Sequence, residues 1–255
     1  MSLYIDVHSH LDFEGLIERL DEVIANAKKA GLRYIVTSGI TPQTNRKVLE
    51  ISKKYPDIVK ASFGLYPMDA LTRETNEKNE FDVDEELSFW QKNKDKFISI
   101  GEIGLDYKNG KDAKMQKEVF SKVLDSAKKL NKPVIIHSRK AEADAIEVLQ
   151  SSSIKKVIMH CFSGRKHLVK KAYDLGYSFS IPTNVVRLQQ FQEMVQEIDI
   201  NHLFCETDAP FLSPFKEQRN EPAFIVESYK KIAELKGLTL EEVEKNIFMN
   251  FERMF

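Results

Sequence analysis

The chain has 255 residues, 42% hydrophobic and 30% charged, the composition of a folded globular protein and not of a disordered or fibrous one. Its 38 Lys and Arg against 39 Asp and Glu leave a formal charge of −1, so no global positive field draws in a polyanion; a phosphate-bearing substrate would be met by local cations or metal ions. No apolar stretch approaches membrane-spanning length, Met1 to Tyr4 runs into the first strand without a signal-like apolar region, and two cysteines make no paired framework, so the expectation is a cytoplasmic protein with no membrane attachment and no obligatory protein partner.

Apolar runs alternate with segments of helical periodicity from end to end. Leu3-Tyr4-Ile5 opens a first strand leading into Asp6-Val7-His8-Ser9-His10. Leu16, Leu20, Val23, Ile24 and Ala27 then recur at helical spacing between Glu14 and Ala30, with Gly31 as the stop signal. Tyr34 to Thr37 reads as strand two, Thr41 to Tyr55 as helix two and Ile58 to Phe63 as strand three. Met68 to Asp84, rich in Asp, Glu, Asn and Thr, has no period and reads as a solvated rim loop before helix three. Phe97 to Ile100 forms strand four, ending at Glu102, and Lys111 to Leu130 the helix after it. Pro133 to Ile136 leads to His137 and a helix over Ala141 to Leu149; Val157 to Met159 leads to His160 and a helix over Gly164 to Leu175. Tyr177 to Ser180 is strand seven and Leu188 to Ile198 helix seven. Leu203 to Cys205 leads to Glu206-Thr207-Asp208, and helices over Ala223 to Leu235 and Leu240 to Met249 close the chain.

Eight strands with helical crossovers in a chain of this length predict one domain, residues 1–255, folded as a (β/α)8 TIM barrel. An open doubly wound sheet would gather its site at one switch point, and no Gly-rich phosphate loop follows the first strand. In a barrel, every strand delivers its C-terminal end to one rim, where His8, His10, Glu102, His137, His160 and Asp208 would converge.

Strand alternation places Asp6, His8 and His10 on one side, and two imidazoles a residue apart can grip one divalent ion. Asp6 would orient a ligand from behind or make a structural hydrogen bond. Glu102, flanked by glycines that allow close approach, has two oxygens and can bridge two ions. A single histidine beyond a strand is usually structural, but His137 and His160 on successive strands argue for ligands. Asp208 can hold metal and take a proton from an attacking water, which makes it and Glu102 the catalytic candidates. Arg139, Arg165 and Arg219 are rim cations whose planar forks suit a phosphate, Arg165 the weakest because it stands at a helix start. His167, inside a helix, and His202, before a strand, are assigned surface or structural roles. Cys161 and Cys205 each neighbour a rim residue and should face the opposite side of their strands, as packing groups.

Asp6-Val7-His8-Ser9-His10-Leu11-Asp12, Gly101-Glu102-Ile103-Gly104-Leu105-Asp106-Tyr107, His137-Ser138-Arg139, His160-Cys161-Phe162-Ser163-Gly164, Glu206-Thr207-Asp208-Ala209-Pro210 and Arg219-Asn220-Glu221-Pro222 appear in this order. Together they resemble the TatD-type metal-dependent deoxyribonucleases of the amidohydrolase-like barrel superfamily, over nearly the whole chain. The resemblance implies one or two divalent ions, Mg, Mn or Zn, with His8 and His10 holding one, Glu102 bridging, His137 and His160 holding the second, and Asp208 completing the first site. It further implies DNA as substrate, cleaved at phosphodiester bonds by a 3′ to 5′ exonuclease, with Arg139 and the Arg219-Asn220-Glu221-Pro222 loop facing it. One departure is Gly64-Leu65-Tyr66-Pro67, where Tyr66 replaces a histidine of many members at a substrate-facing position and leaves the metal ligands intact. Related barrels apply such a cage to other esters and amides, aminoacyl-tRNA included, and this is the alternative reading. A metal-stabilised nucleic-acid binder without turnover is disfavoured by the lack of a basic stretch.

Overall fold

The computed structural model describes residues 2–67 and 81–255. Eight parallel strands pair in chain order: β1 (Tyr4–Ser9), β2 (Leu32–Ser38), β3 (Val59–Leu65), β4 (Ser99–Asp106), β5 (Val134–Arg139), β6 (Val157–His160), β7 (Ser178–Pro182) and β8 (Leu203–Glu206). The sheet turns back on itself, because Asp208 N–H donates to the His8 carbonyl at 2.9 Å and His10 N–H to the Ala209 carbonyl at 2.8 Å. The result is the expected (β/α)8 TIM barrel, nearly closed.

The crossovers are carried by α1 (Leu20–Ala30), α2 (Pro42–Lys54), α3 (Val83–Lys92), α4 (Ala113–Leu130), α5 (Glu142–Ser152), α6 (Lys166–Asp174) and α7 (Gln189–Glu197), and the chain ends in α8 (Ile225–Lys236) and α9 (Leu240–Met254). Their limits follow local chemistry. Thr41 and Thr44 cap α2 reciprocally with Pro42 in its first turn, Thr239 and Glu242 do the same for α9, and Gly31 ends α1 at φ 94°, a left-handed conformation that costs glycine little. None of the described helices is long and apolar enough to cross a membrane.

Three boundaries differ from expectation. The helix expected from Glu14 begins as a 3-10 turn at Ile17–Arg19 and becomes α-helical only at Leu20. Strand four continues past Glu102 to Asp106, since the glycines beside Glu102 serve close packing of strands instead of a turn. A Cβ at Gly104 would lie 2.0 Å from the His137 carbonyl oxygen, at a φ of +141°. Of the loop expected over Met68 to Asp84, residues 68–80 lie outside the described ones, while Val83 and Asp84 already belong to α3, whose first N–H groups Asp82 accepts from.

Most apolar side chains fill the layer between strands and helices. A smaller group, Ile5, Val7, Val36, Ile135, Ile158 and Phe204, meets Phe251 of α9. Alternation puts Ile135 on the same face as His137, and Ile158 on the face of His160, so this cluster plugs the barrel below the rim and keeps the site dry from beneath. In β1 the alternation is broken: the step from Asp6 to Ser9 pairs with the shorter step from Ile35 to Thr37. The expectation that Asp6 shares a side with both imidazoles fails for this reason. Its carboxylate accepts instead from Thr207 N–H and Oγ1–H, at 2.9 and 2.5 Å, tying β1 to the turn that presents Asp208.

Candidate metal centre

At the C-terminal rim, six side chains from β1, β4, β5, β6 and the end of β8 converge. Glu102 stands between two sets. Its Oε2 lies 3.6 Å from His8 Nε2 and 3.4 Å from His10 Nε2, and Asp208 Oδ1 lies 3.5 Å from each of those nitrogens. Its Oε1 lies 2.6 Å from His137 Nδ1 and 3.9 Å from His160 Nε2. Within each of the sets His8/His10/Glu102, His8/His160/Asp208 and Glu102/His137/His160, one ligand atom per residue lies within 4.8 Å of the others. Every candidate ligand expected from sequence is therefore at this centre, and Glu102 belongs to two of the three sets.

The far nitrogen of each ring is committed to the scaffold, and that commitment fixes which nitrogen faces the centre. His10 Nδ1–H donates to the Ser38 carbonyl at 3.0 Å, His8 Nδ1 pairs with Ser38 Oγ at 3.1 Å, and His160 Nδ1–H donates to Glu206 Oε2 at 2.7 Å. Glu206 is itself held by Ser180 Oγ and Cys161 N–H. His137 is turned the other way: its Nε2 lies 3.3 Å from Asp106 Oδ2 and 3.0 Å from Tyr66 Oη, and Tyr66 donates to Asp106 at 2.6 Å. Tyr66 thus lines the cavity above the centre with its hydroxyl spent on Asp106 and His137. The sequence assigns no role to Ser38 or Asp106, and places Glu206 at the rim without one. Asp106 and Glu206 did carry a signal, each at an even spacing along a strand from a proposed ligand.

Electrostatics agree with a cation site. Burial alone would lower the imidazole values, but Glu102 and Asp106 around His137, and Glu206, Asp208 and Glu102 around His160, raise both to about 9; Asp208 and Glu102 raise His10 well above its usual range. Burial would raise Glu102 and Asp208, yet the facing imidazoles hold both carboxyls well below the usual carboxylate range. Buried positive charge is what these carboxylates are arranged to meet. His8 Nε2 sharpens the point: it is buried with no hydrogen-bond partner and sits where His10, Glu102 and Asp208 converge. A set of imidazole and carboxylate donors fits Zn2+, Mn2+ or Fe, so the residues fit one or two divalent ions.

The remaining expectations divide. Arg139 lines the cavity over the centre. Arg165 is exposed at the start of α6. Arg219 lies outside the lining, with its guanidinium on the Glu14 carbonyl at 2.7 Å. Asn220 and Glu221, from the same motif, face the scaffold: Glu221 takes Arg19 and Asn26, and Asn220 Nδ2 donates to Thr183 Oγ1 and to the Thr207 and Phe211 carbonyls. Asn220→Ala would leave these buried acceptors unpaired and should cost about 2–3 kcal/mol in urea unfolding; an unchanged midpoint would show the clamp to be dispensable. Cys205 is packed in the core as expected. Cys161, which follows the last residue of β6 with φ 41°, also packs against the core as expected, while bordering the cavity. Burial, then Glu206, Asp208 and Glu102, push its thiol far up, which disfavours a nucleophilic thiolate. His167 is exposed on α6, and His202 sits before β8 against the Tyr177 carbonyl, both away from the centre.

Known proteins carry the same architecture. The chain is 33% identical over 257 residues to deoxyribonuclease TATDN3 of Homo sapiens, across 98% of this chain and 94% of the relative. It is 35% identical over 263 residues to the uncharacterized metal-dependent hydrolase YabD of Bacillus subtilis, across 99% of each. Its fold is similar to that of YJJV, a TatD homologue of Escherichia coli, with a TM-score of 0.87 at 24% identity over 99% of this chain and 97% of the other. Residues 5–255, which include every candidate metal ligand, match the family described as TatD related DNase, and the chain belongs to that family.

Proposed function

We propose that this metal-dependent hydrolase acts on DNA, cleaving phosphodiester bonds from a free 3′ end. The observation that carries this reading is the shape and charge of the space over the cage. The cavity measures about 500 Å³, in the range of small-ligand sites, and among the described residues Arg139 is the one Lys or Arg in its lining. A groove that follows a duplex needs a row of cations for successive phosphates. One arginine above a cage for cations suits a single phosphodiester at a strand end. DNA as substrate is supported by the deoxyribonuclease named among the relatives, and the 3′ polarity is the one that the resemblance implies.

His8, His10, Glu102 and Asp208 would hold one ion, and Glu102, His137 and His160 a second. Bound divalent ions supply Lewis acidity and make a nearby water more acidic. Asp208, whose Oδ1 lies 3.5 Å from His8 Nε2 and from His10 Nε2, takes the proton of the attacking water and returns it to the leaving oxygen. Arg139 grips a non-bridging phosphate oxygen. The Ser38, Asp106 and Glu206 contacts hold the imidazoles in place, so little reorganisation accompanies reaction. Two free cysteines suit a reducing, cytoplasmic setting.

The test uses metal-stripped protein with Mg2+, Mn2+ or Zn2+ restored and DNA oligonucleotides labelled at either end. A 5′-labelled strand should shorten stepwise, while a 3′ label should appear at once as mononucleotide. The reverse pattern would overturn the polarity. Absence of cleavage with every metal would remove DNA as the substrate and turn attention to other esters and aminoacyl-tRNA.

A further inference from the structure

Above the cage, one wall of the cavity is aromatic. Phe211 is 40% exposed, and it meets Phe13 edge to face at 5.5 Å between ring centres. Phe13 in turn lies 5.2 Å from the His10 ring, so the aromatic wall adjoins the metal ligands directly. The wall is rigid. Phe211 N–H donates to the Asp208 carbonyl at 2.8 Å, and the Phe211 carbonyl accepts from Asn220 Nδ2 at 2.7 Å. Its position is therefore locked to the residue that handles the proton. Leu188 and Phe191 form another part of the lining. Asn184 also lines the cavity: it is 5% exposed, its Oδ1 is buried without a partner, and its amide makes no hydrogen bond among the described residues.

A phosphate ligand gains nothing from this wall, and with Arg139 as the lone Lys or Arg of the described lining, phosphate contacts alone supply little affinity. A flat, π-faced group with hydrogen-bonding edges would gain from both the rings and the amide. We propose that Phe211, backed by Phe13, is the stacking surface for the nucleobase of the strand-end nucleotide, with Asn184 meeting the base edge. This rests on the phosphodiesterase reading above and deepens it: the favoured substrate is an unpaired end, because a base paired within a duplex must first be unpaired and unstacked, at an energetic cost, to lie on Phe211. Stacking of this kind tolerates any base and selects single-stranded over blunt double-stranded ends.

The test compares metal-loaded wild type, Phe211→Ala and Phe211→Trp on a single-stranded oligonucleotide with a normal 3′ end and on the same strand ending in an abasic tetrahydrofuran nucleotide. On the normal end Phe211→Ala should raise KM roughly 5- to 150-fold with a much smaller change in kcat, and Phe211→Trp should restore KM. Loss of the terminal base should cost the wild type a similar factor, and the two losses should not add in Phe211→Ala. Additive losses, or a kcat defect shared by both substrates, would overturn the stacking role. Wild-type cleavage is the separate control: if the wild type cuts neither strand, the nuclease reading falls and this inference with it.

Discussion

Asp208→Asn should cut metal-dependent DNA hydrolysis by roughly 10²- to 10⁴-fold while leaving the barrel folded. The amide is isosteric and keeps the backbone bonds that join β8 to β1, Asp208 N–H to the His8 carbonyl among them. What it removes is the negative oxygen that lies 3.5 Å from both His8 Nε2 and His10 Nε2. In the proposed mechanism that oxygen is a ligand to the first ion and the proton acceptor, and an amide is poor at both. The two roles separate experimentally. If Asp208 mattered only for metal affinity, raising the Mn2+ concentration would restore kcat; a defect that persists at saturating metal assigns it the proton. Full activity of the metal-loaded variant would remove Asp208 from the mechanism. His8→Ala should lose activity through metal affinity instead, and excess metal should recover part of it, because Asp208, His10 and Glu102 remain in place.

The barrel was legible because its strands are buried on both faces and read as short apolar runs, Val134 to Ile136 and Val157 to Met159 being the clearest. The ligands were legible for a related reason. A histidine or carboxylate directly after such a run has nowhere to go but the rim. The groups that hold the ligands could not be read in the same way, because each acts across strands: Ser38 on His8 and His10, Tyr66 and Asp106 on His137, Glu206 on His160. Their roles depend on register, which periodicity does not reveal. Local backbone departures account for other differences. The irregularity in β1 turns Asp6 toward Thr207, and the glycines of β4 let that strand run past Glu102 to Asp106. The Arg219-Asn220-Glu221-Pro222 segment was expected to face substrate, yet Asn220 and Glu221 spend their polar atoms holding the rim loops together.

Metal affinity should climb steeply with pH between about 6.5 and 9, and the stability of metal-free protein should move the opposite way. In the metal-free centre His137 and His160 both rise to about 9 from an ordinary 6.5, since Glu102, Asp106, Glu206 and Asp208 overcome the effect of burial. A raised folded-state value means that these imidazolium pairs contribute stability fully below pH 6.5 and lose it as pH rises through 9. Glu102 and Asp208 are depressed, so their contribution is present above the ordinary 4.5 and 3.8 and is lost as pH falls toward their folded values. The metal-free protein should thus be most stable from about pH 5 to 6.5 and soften toward pH 9. A cation changes the balance, because imidazole ligates only after losing its proton. Binding at the Glu102, His137 and His160 set must expel on the order of two protons, which makes affinity improve roughly 10²-fold per pH unit until both rings are neutral. Calorimetric Mn2+ or Zn2+ titrations in buffers of differing ionisation enthalpy measure the expelled protons directly. Thermal midpoints at pH 6.5 and 8.5, with and without metal, should diverge, the metal-free value falling while the metal-loaded one holds or rises. Parallel midpoints, or an affinity flat in pH, would mean that the imidazoles are already neutral without metal and that the carboxylates around them do not act as counter-ions for a proton-occupied cage.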